Sequence, residues 1–217
     1  ATGSGKSTTL ACMIDRINRS REAHIITMED PLEYLHSHNK SIVSQREIFI
    51  GTPGYLESLR SALRESPDVI LLGEMRDFDT ISSAITAAET GVLLFSTLHT
   101  SSAANTINRI VDVFPANQQV QVRGQLAQLI KGVVCQQLVT SVDGHLIPVF
   151  EVMKSTPAIH NMIREGKLHQ LESAMQAASA DGMVTMDASL LELYNKGQIS
   201  KNTLLSSCNN YEFMVKK

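Results

Sequence analysis

The chain has 217 residues, of which 43% are hydrophobic and 19% are charged, so it can bury the core of one large domain and is not disordered. Its net charge of -3 and its lack of tryptophan disfavour a nucleic-acid binder, which usually has basic excess on one face and aromatic stacking platforms, although they leave room for a local basic patch. No apolar run approaches the roughly 18 residues of a membrane span. The three cysteines, Cys12, Cys135 and Cys208, lie far apart, which disfavours a zinc or disulfide framework and favours a reducing, cytosolic location.

The first eight residues contain the second half of the phosphate-binding pattern G-x-x-x-x-G-K-[ST]. Glycines let successive backbone N–H groups turn inward around an anion, Lys6 can reach the β- and γ-phosphates, and Ser7 can offer its hydroxyl to Mg²⁺. A Gly/Ser-rich turn at a frayed terminus is the alternative, and it is disfavoured because an amphipathic helix begins directly after the loop. The residues predicted to bind nucleotide here are Thr2, Gly3, Ser4, Gly5, Lys6, Ser7 and Thr8.

The first glycine of that pattern would lie one residue before Ala1. A phosphate-binding loop normally follows a buried strand. We therefore expect the natural polypeptide to contain an upstream segment at least one strand long.

Helical spacing of apolar residues alternates with short apolar runs along the first 152 residues. The predicted helices are 6–18, one marked by Leu56, Leu59, Ala62 and Leu63, then 79–90, one carrying Ile107, Ile110 and Val111, and 117–132. The predicted strands are 25–28, 69–72 and 92–97, followed by a hairpin of 133–140 and 146–152 that turns at Asp143-Gly144. Residues 35–54 are expected to form a loop or small hairpin, because Gly51-Thr52-Pro53-Gly54 is a strong turn signal.

Continuously apolar strands that alternate with helices predict an α/β fold with a mainly parallel sheet covered on both faces. From about Thr156 the pattern changes to short helices at 157–165, 167–179, 187–195 and 200–207. We therefore expect an α/β core over residues 1–155 and a helical appendage over residues 156–217.

Polar residues follow three of the predicted strands, at the edge of a parallel sheet where ligands bind. They are Glu29-Asp30 with Glu33, then Glu74 with Arg76 and Asp77, then Thr97-Leu98-His99-Thr100. Phosphoryl transfer needs such groups beside a phosphate cradle and Mg²⁺. Glu74 is the candidate that orients or deprotonates the attacking water, and Glu29 is the second candidate for water activation or metal contact.

Each of these residues also has a structural interpretation. Glu74 could simply open a helix near its positive end, Asp30 could be a turn residue, and His99 could be a core histidine rather than a γ-phosphate sensor. Arg60, Arg64 and Arg76 are candidate transition-state cations, and for each of them a surface or salt-bridge role is at least as well supported.

Four motifs, taken in order, resemble those of secretion and pilus ATPases. Residues 29–34 are similar to the acidic Asp box, and residues 58–77 to the Walker B region, with Gly73 in place of the usual acidic residue before Glu74. Ser96-Thr97-Leu98-His99-Thr100 resembles the His box. Residues 158–165 are similar to the A-I-R-N-L-I-R-E signature of the retraction branch, the twitching-motility PilT family, with His160 where that signature usually has Arg.

This resemblance implies a RecA-like ATPase core, with ATP and Mg²⁺ bound between an N-terminal PAS-like domain and this C-terminal domain in a homo-hexameric ring. It implies a cytoplasmic motor, peripheral to the inner membrane, that powers pilus retraction by acting on an inner-membrane platform protein, with no nucleic-acid partner and no membrane span. The roles that carry over are phosphate and Mg²⁺ binding for Gly3, Gly5, Lys6 and Ser7, water and metal binding for Glu29 and Glu74, nucleotide sensing for His99, and the retraction signature for Arg164 with Glu165. Arg76 joins the predicted nucleotide-binding set.

Three other functions stay open at this point. A pilus-assembly or type II secretion ATPase would share the core, but many of these carry two C-x-x-C pairs that this chain lacks. A nucleic-acid translocase on the same core is disfavoured by the weak acidity and the few aromatic residues. An inert nucleotide-binding ring subunit is disfavoured by the intact Lys6, Ser7 and Glu74.

Overall fold

The computed structural model describes residues 3–50 and 54–216. Thr2, predicted to bind nucleotide, and most of the turn predicted at residues 51–54 lie outside them. The chain divides into two compact units: residues 6–98, the first unit, and residues 1–5 with 99–217, the second unit. The boundary predicted at residue 155 lies within the second unit and stays a prediction. Within the described residues, no helix has both the length and the apolar character that a membrane crossing requires.

The first unit contains a four-stranded parallel sheet. Along the chain, one helix precedes the first strand and further helices lie between the later strands. Its strands lie in the order β2-β1-β3-β4, so the first two strands to follow the phosphate loop are neighbours at one side of the sheet. Its elements are α1 (Lys6–Ser20), β1 (His24–Glu29), β2 (Ile42–Glu47), α2 (Tyr55–Ala62) with a short 3-10 helix (Leu63–Glu65), β3 (Val69–Leu72), α3 (Phe78–Glu89) and β4 (Leu93–Ser96).

Apolar side chains cover both faces of this sheet. On one face, Ile14 of α1 packs with Ile25 of β1 and Leu71 of β3. On the other face, Leu59 of α2 packs with Ile26 and Leu72. The predicted parallel sheet with helices on both faces is confirmed, because successive residues of a strand point to opposite faces and both sets are apolar here.

The expectation of a loop or small hairpin over residues 35–54 is wrong in part. Residues 42–47 form β2, which pairs in parallel with β1 and places Gln45 opposite Thr27. A strand with only two apolar residues among six is hard to detect from sequence, because an edge strand is paired on one side only. Residues 37–39 run beside α1, where the buried Asn18 donates to the Ser37 carbonyl at 2.7 Å and accepts from the Asn39 N–H at 3.1 Å.

The second unit combines an antiparallel hairpin with helices. Its elements are α4 (Ala103–Asp112), α5 (Ala116–Leu129), β5 (Gly132–Thr140), β6 (Leu146–Lys154), α6 (Pro157–Glu165), α7 (Leu171–Ala177), α8 (Met186–Asn195), α9 (Lys201–Ser207) and α10 (Tyr211–Val215), with short 3-10 helices at Leu168–Gln170 and Ser179–Asp181. The predicted hairpin is confirmed, with Gly144 at φ 83° in its turn. The helix expected to reach residue 132 ends at Leu129, because Ile130 is extended, and α10 is an element that the sequence did not indicate.

The buried Glu151 of β6 joins two helix starts within this unit. Its Oε1 accepts from the Ala103 N–H at 2.7 Å and its Oε2 accepts from the Met186 N–H at 3.2 Å. A carboxylate at the N-termini of α4 and α8 satisfies amide groups that have no partner within their own helices. A buried carboxylate of the hairpin therefore joins β6 to the starts of α4 and α8.

Candidate functional site

The glycines of the phosphate loop have the conformation that the sequence pattern requires. Gly3 has φ 77° and Gly5 has φ 84°, both in the left-handed region that glycine adopts without steric cost. Ser4 lies between them and is 4% exposed, and its Oγ has no hydrogen-bond partner among the described residues. A buried hydroxyl flanked by two such glycines fits a phosphate oxygen, because buried polar groups are almost always hydrogen-bonded.

The loop is followed by α1, and Lys6 is the first residue of that helix. The next two residues contact the segment that follows β1: the Ser7 hydroxyl donates to Glu33 Oε1 at 3.0 Å, and Thr8 Oγ1 lies 2.8 Å from the Tyr34 hydroxyl. The N-terminus of a helix favours anions through its free amide groups and its dipole. The structure thus brings the predicted magnesium-binding hydroxyl together with a carboxylate of the acidic motif.

Glu29 is the last residue of β1, on the face of the sheet that α1 covers, since it lies two and four residues after Thr27 and Ile25. Its Oε1 is buried and has no hydrogen-bond partner among the described residues. Burial raises the pKa of Glu29, and the negative charge of Glu33 adds to the rise. A buried carboxylate with an unpartnered oxygen is typical of a functional site, because a cation that reached this oxygen would be bound strongly.

Glu74 follows β3 by two residues and forms an ion pair with Arg76, whose Nη2 lies 2.6 Å from Glu74 Oε2. The Glu74 side chain is 16% exposed, whereas that of Arg76 is 77% exposed. The hydrogen bond with Glu74 raises the pKa of the Arg76 guanidinium. Arg76 therefore lies next to the candidate catalytic carboxylate, where a salt bridge and a transition-state cation are both compatible with its position.

Hydrogen bonds hold the turn that carries Glu74. The Thr97 hydroxyl donates to the Gly73 carbonyl at 2.6 Å, and the Met75 N–H donates to the Thr97 carbonyl at 3.2 Å. The Gly73 N–H in turn donates to the Met28 carbonyl at 2.8 Å. These bonds tie the ends of β1, β3 and β4 to one another, so Glu29 and Glu74 leave the sheet at the same edge.

Tyr55, at the start of α2, is a site residue that the sequence did not indicate. A Cβ added to Gly73 would lie 2.9 Å from its hydroxyl oxygen, so the ring reaches the backbone just before Glu74. Burial raises the pKa of Tyr55 to about 12, and the negative charges of Asp30 and Glu74 contribute. The hydroxyl is therefore a neutral hydrogen-bond donor among carboxylates, and no spacing rule links a helix-opening tyrosine to the ends of two strands.

The remaining predicted residues lie at more exposed positions. Arg60 and Arg64 are exposed on α2 and on the 3-10 helix after it, and His99 is exposed at the start of the second unit. Their predicted roles stay predictions. Glu33 is one of the predicted strand-end carboxylates, but the sequence assigns it no separate role. Its nearness to Asp30, three residues earlier, is the signal in the sequence that associates it with the acidic group.

The segment that resembles the retraction signature forms α6 in the second unit. Glu165 accepts from Asn161 Nδ2 at 3.2 Å and pairs with Lys167 Nζ at 2.6 Å, and the hydrogen bond with Lys167 lowers the pKa of Glu165. Arg164 is exposed. The Ser155 hydroxyl and His160 Nε2 are hydrogen-bonded, so the residue that departs from the signature contacts the chain just before the helix.

The donor set of the first unit fits Mg²⁺. Its candidate atoms are all oxygens, from the Ser7 hydroxyl and from the carboxylates of Glu29, Glu33 and Glu74, and oxygens are the ligands that Mg²⁺ prefers. Residues 3–50 and 54–216 contain no group of three or more His, Cys, Asp or Glu side chains arranged to hold a metal ion by themselves. This agrees with a magnesium ion held by one or two protein groups together with substrate phosphates.

Comparison with known proteins places the chain in a family. Residues 1–209 match the type II/IV secretion system protein family. The chain belongs to this family. The type IV pilus retraction ATPase PilT of Pseudomonas aeruginosa is 52% identical over 200 residues, which are 92% of this chain and 58% of that protein. A twitching motility protein of Neisseria gonorrhoeae is 49% identical over 214 residues, 98% of this chain and 57% of that protein.

A solved structure of the pilus retraction motor PilT with bound ADP has the same fold, with a TM-score of 0.94 and 46% sequence identity over 100% of this chain and 61% of that one. The RecA-like fold and the resemblance to the PilT branch are thereby confirmed. The chain spans a little over half the length of the curated relatives it matches. The activity and partners of a whole motor are therefore proposals for this chain.

Glu29→Gln should make the fold more stable near neutral pH. Because the pKa of Glu29 is raised in the folded chain, the contribution of this carboxyl to the free energy of unfolding is most favourable where it is protonated and is lost as the pH rises through that pKa. The amide of the variant does not titrate, so its unfolding midpoint should exceed that of wild type near pH 7 and equal it below about pH 4. Urea titrations at both pH values measure this, with the exposed Glu22→Gln as control; a variant less stable than wild type near pH 7 would contradict the assignment.

Gly73→Ala should destabilise the chain by about 1–3 kcal/mol, because its Cβ would lie 2.9 Å from the Tyr55 hydroxyl and 3.0 Å from the Met28 carbonyl. Gly124→Ala on α5 is the matched control, since nothing lies within 4 Å of its Cβ and alanine favours helices by up to about 1 kcal/mol. Urea midpoints compare the two. Equal midpoints for both variants would mean that the close approach of β1 and β3 does not need a glycine.

Proposed function

We propose that the chain is the ATP-hydrolysing part of a motor subunit that powers type IV pilus retraction. The observation that carries this proposal is the Ser7–Glu33 hydrogen bond at the start of α1, next to a phosphate loop with two left-handed glycines. Carboxylates at the carboxyl edge of the same sheet, Glu29 and Glu74, supply the groups that act on water. Support for the substrate comes from the PilT structure, which holds ADP.

The phosphates would bind to the backbone amides of residues 3–8 and to the Lys6 ammonium, with the Ser4 hydroxyl as a further donor. Mg²⁺, when bound, would neutralise charge on the phosphate oxygens. Ser7 would hold it directly, and Glu29 or Glu74 would contact it directly or through a water molecule.

Hydrolysis requires a water placed in line with the γ-phosphate. Glu74 is the residue proposed to orient this water and accept its proton, because it is the less exposed member of the Glu74–Arg76 pair and follows a fixed turn. Arg76 would then balance the charge that develops on phosphate oxygens. Glu29, whose neutral form is favoured by burial, would exchange the proton or contact the metal.

The assignment to retraction rests on likeness to named relatives. The similarity to PilT and to a twitching motility protein, and the signature on α6, favour this branch over assembly and secretion ATPases. A homo-hexameric ring at the cytoplasmic side of the inner membrane, acting on a platform protein, is part of the same proposal. Its support is the likeness to a pilus retraction motor.

Two substitutions separate nucleotide binding from hydrolysis. Lys6→Ala should abolish binding of fluorescent ATP and ADP analogues, because the cation that contacts the phosphates is lost. Glu74→Gln should retain binding and lower phosphate release by about 100-fold or more, because an amide cannot accept the proton. Lys201→Ala on α9 and Glu22→Gln are exposed controls and should behave as wild type. Wild-type turnover by Glu74→Gln would exclude Glu74 as the group that activates water.

The direction of the motor is tested in cells. Loss of a retraction motor leaves excess surface pili, whereas loss of an assembly motor leaves none. A strain in which the gene carries Glu74→Gln should therefore show more pili per cell by electron microscopy than its parent, and lose twitching. A strain without surface pili would instead favour the alternative of a pilus-assembly ATPase.

A further inference from the structure

Residues 33–36 form a short stretch, the clasp segment, that lies between α1 and the edge strand β2. On the side of α1, Ser7 donates to Glu33 at 3.0 Å and Thr8 Oγ1 lies 2.8 Å from the Tyr34 hydroxyl. On the side of β2, one side chain contacts the backbone of the segment twice: Gln45 Oε1 accepts from the His36 N–H at 2.7 Å, and Gln45 Nε2 donates to the Tyr34 carbonyl at 2.8 Å.

The two Gln45 bonds fix the segment in one orientation. An amide that accepts from one backbone group and donates to another cannot be flipped without losing both bonds. Gln45 is itself fixed, because it is opposite Thr27 in the β1–β2 pairing. The backbone of the clasp segment is therefore hydrogen-bonded to β2 at two places, the Tyr34 carbonyl and the His36 N–H.

This anchoring matters because Glu33 is exposed. An exposed carboxylate competes with water for its partner and gains little from one hydrogen bond alone. Glu33 immediately precedes Tyr34, whose carbonyl Gln45 holds and whose hydroxyl contacts Thr8. The contacts that hold Tyr34 therefore also keep the neighbouring Glu33 carboxylate next to Ser7.

The orientation of the Ser7 hydroxyl follows from this contact. A hydroxyl has one proton and two lone pairs, so a hydrogen bond donated to Glu33 leaves the lone pairs facing elsewhere. A metal ion binds a lone pair, and carboxylates that accept a hydrogen bond from a metal ligand orient that ligand and increase its basicity. Without Glu33 in place, the hydroxyl would rotate among several orientations.

We propose that Gln45 is a positioning residue for magnesium binding: its amide fixes the clasp segment so that Glu33 turns the lone pairs of Ser7 to the metal. Gln45 is proposed to act through Glu33 and not as a ligand of the metal. Its side chain also hydrogen-bonds Glu29, and the double-mutant cycle below separates that route from the one through Glu33. The inference rests on the proposed function, since it assigns a role in the same nucleotide site to a residue of the edge strand.

The test is the magnesium requirement of nucleotide binding. Binding of the fluorescent analogue mant-ADP to the chain is titrated with Mg²⁺, and its affinity is also measured in EDTA. Gln45→Met keeps the size of the side chain and removes both hydrogen bonds to the clasp segment, together with the side-chain hydrogen bond to Glu29. We expect the half-saturating Mg²⁺ concentration to rise about tenfold and the affinity in EDTA to stay unchanged, because outer contacts of metal sites typically contribute 10- to 100-fold.

Gln137→Met is the matched control. Gln137 is also partly buried and also donates to a backbone carbonyl, that of Ser207 at 3.2 Å, and it is not among the residues assigned to the nucleotide site. The Gln137→Met variant should bind mant-ADP and Mg²⁺ as the wild type does. Tyr34→Phe removes only the contact with Thr8 and should raise the Mg²⁺ requirement about threefold, which keeps the proposal testable if Gln45→Met fails to fold.

A double-mutant cycle asks whether Gln45 acts through Glu33. Glu33→Gln should raise the Mg²⁺ requirement at least as much as Gln45→Met, and the double variant should equal Glu33→Gln alone. Three results would overturn the proposal. The effects of Gln45→Met and Glu33→Gln on the Mg²⁺ requirement could multiply in the double variant, the requirement could be unchanged in both Gln45→Met and Tyr34→Phe, or Gln45→Met could lose as much mant-ADP affinity in EDTA as it does with Mg²⁺. A wild-type chain that binds no mant-ADP at all would overturn the proposed function and this inference together, whereas Mg²⁺-dependent binding that ignores Gln45 would overturn the inference alone.

Discussion

The site depends on one close approach between two parallel strands. The Gly73 N–H donates to the Met28 carbonyl at 2.8 Å, so the chain beyond β3 stays paired with the end of β1. A side chain at residue 73 would lie 3.0 Å from that same carbonyl. Because residue 73 is a glycine, Glu29 and Glu74 leave the sheet side by side, and the Tyr55 hydroxyl can lie over the backbone between them.

The edge strand gives this arrangement its second support. Without β2, the residues after Pro31 would have no fixed neighbour on the side away from α1. With it, Gln45 holds the segment that carries Glu33, and the buried Asn18 holds the residues that follow. The segment between β1 and β2 is therefore anchored by the side-chain amides of Gln45 and Asn18 over residues 34–39, in a unit whose apolar cores cover both faces of the sheet.

Much of the fold could be predicted from the sequence because its signals are local. The apolar runs at 25–28 and 69–72, the glycine and lysine pattern at residues 3–7 and the Asp143-Gly144 turn each depend on neighbouring residues only. The edge strand β2 could not be recognised, since its pairing with β1 stabilises a segment with few apolar residues. Tyr55 and Gln45 were missed as site residues, and Glu33 was predicted at the strand ends without a role of its own, because the contacts of these residues with Gly73, Tyr34 and Ser7 join positions that are 18, 11 and 26 residues apart.

The most direct test of the central claim is phosphate release from Mg-ATP by the wild-type chain over a range of protein concentrations. If the carboxylate edge of this sheet hydrolyses ATP within a ring, release should require Mg²⁺, and the rate per subunit should rise with protein concentration. A rate per subunit that stays constant would contradict the ring. No release at any concentration would contradict the claim that the residues described here suffice for hydrolysis.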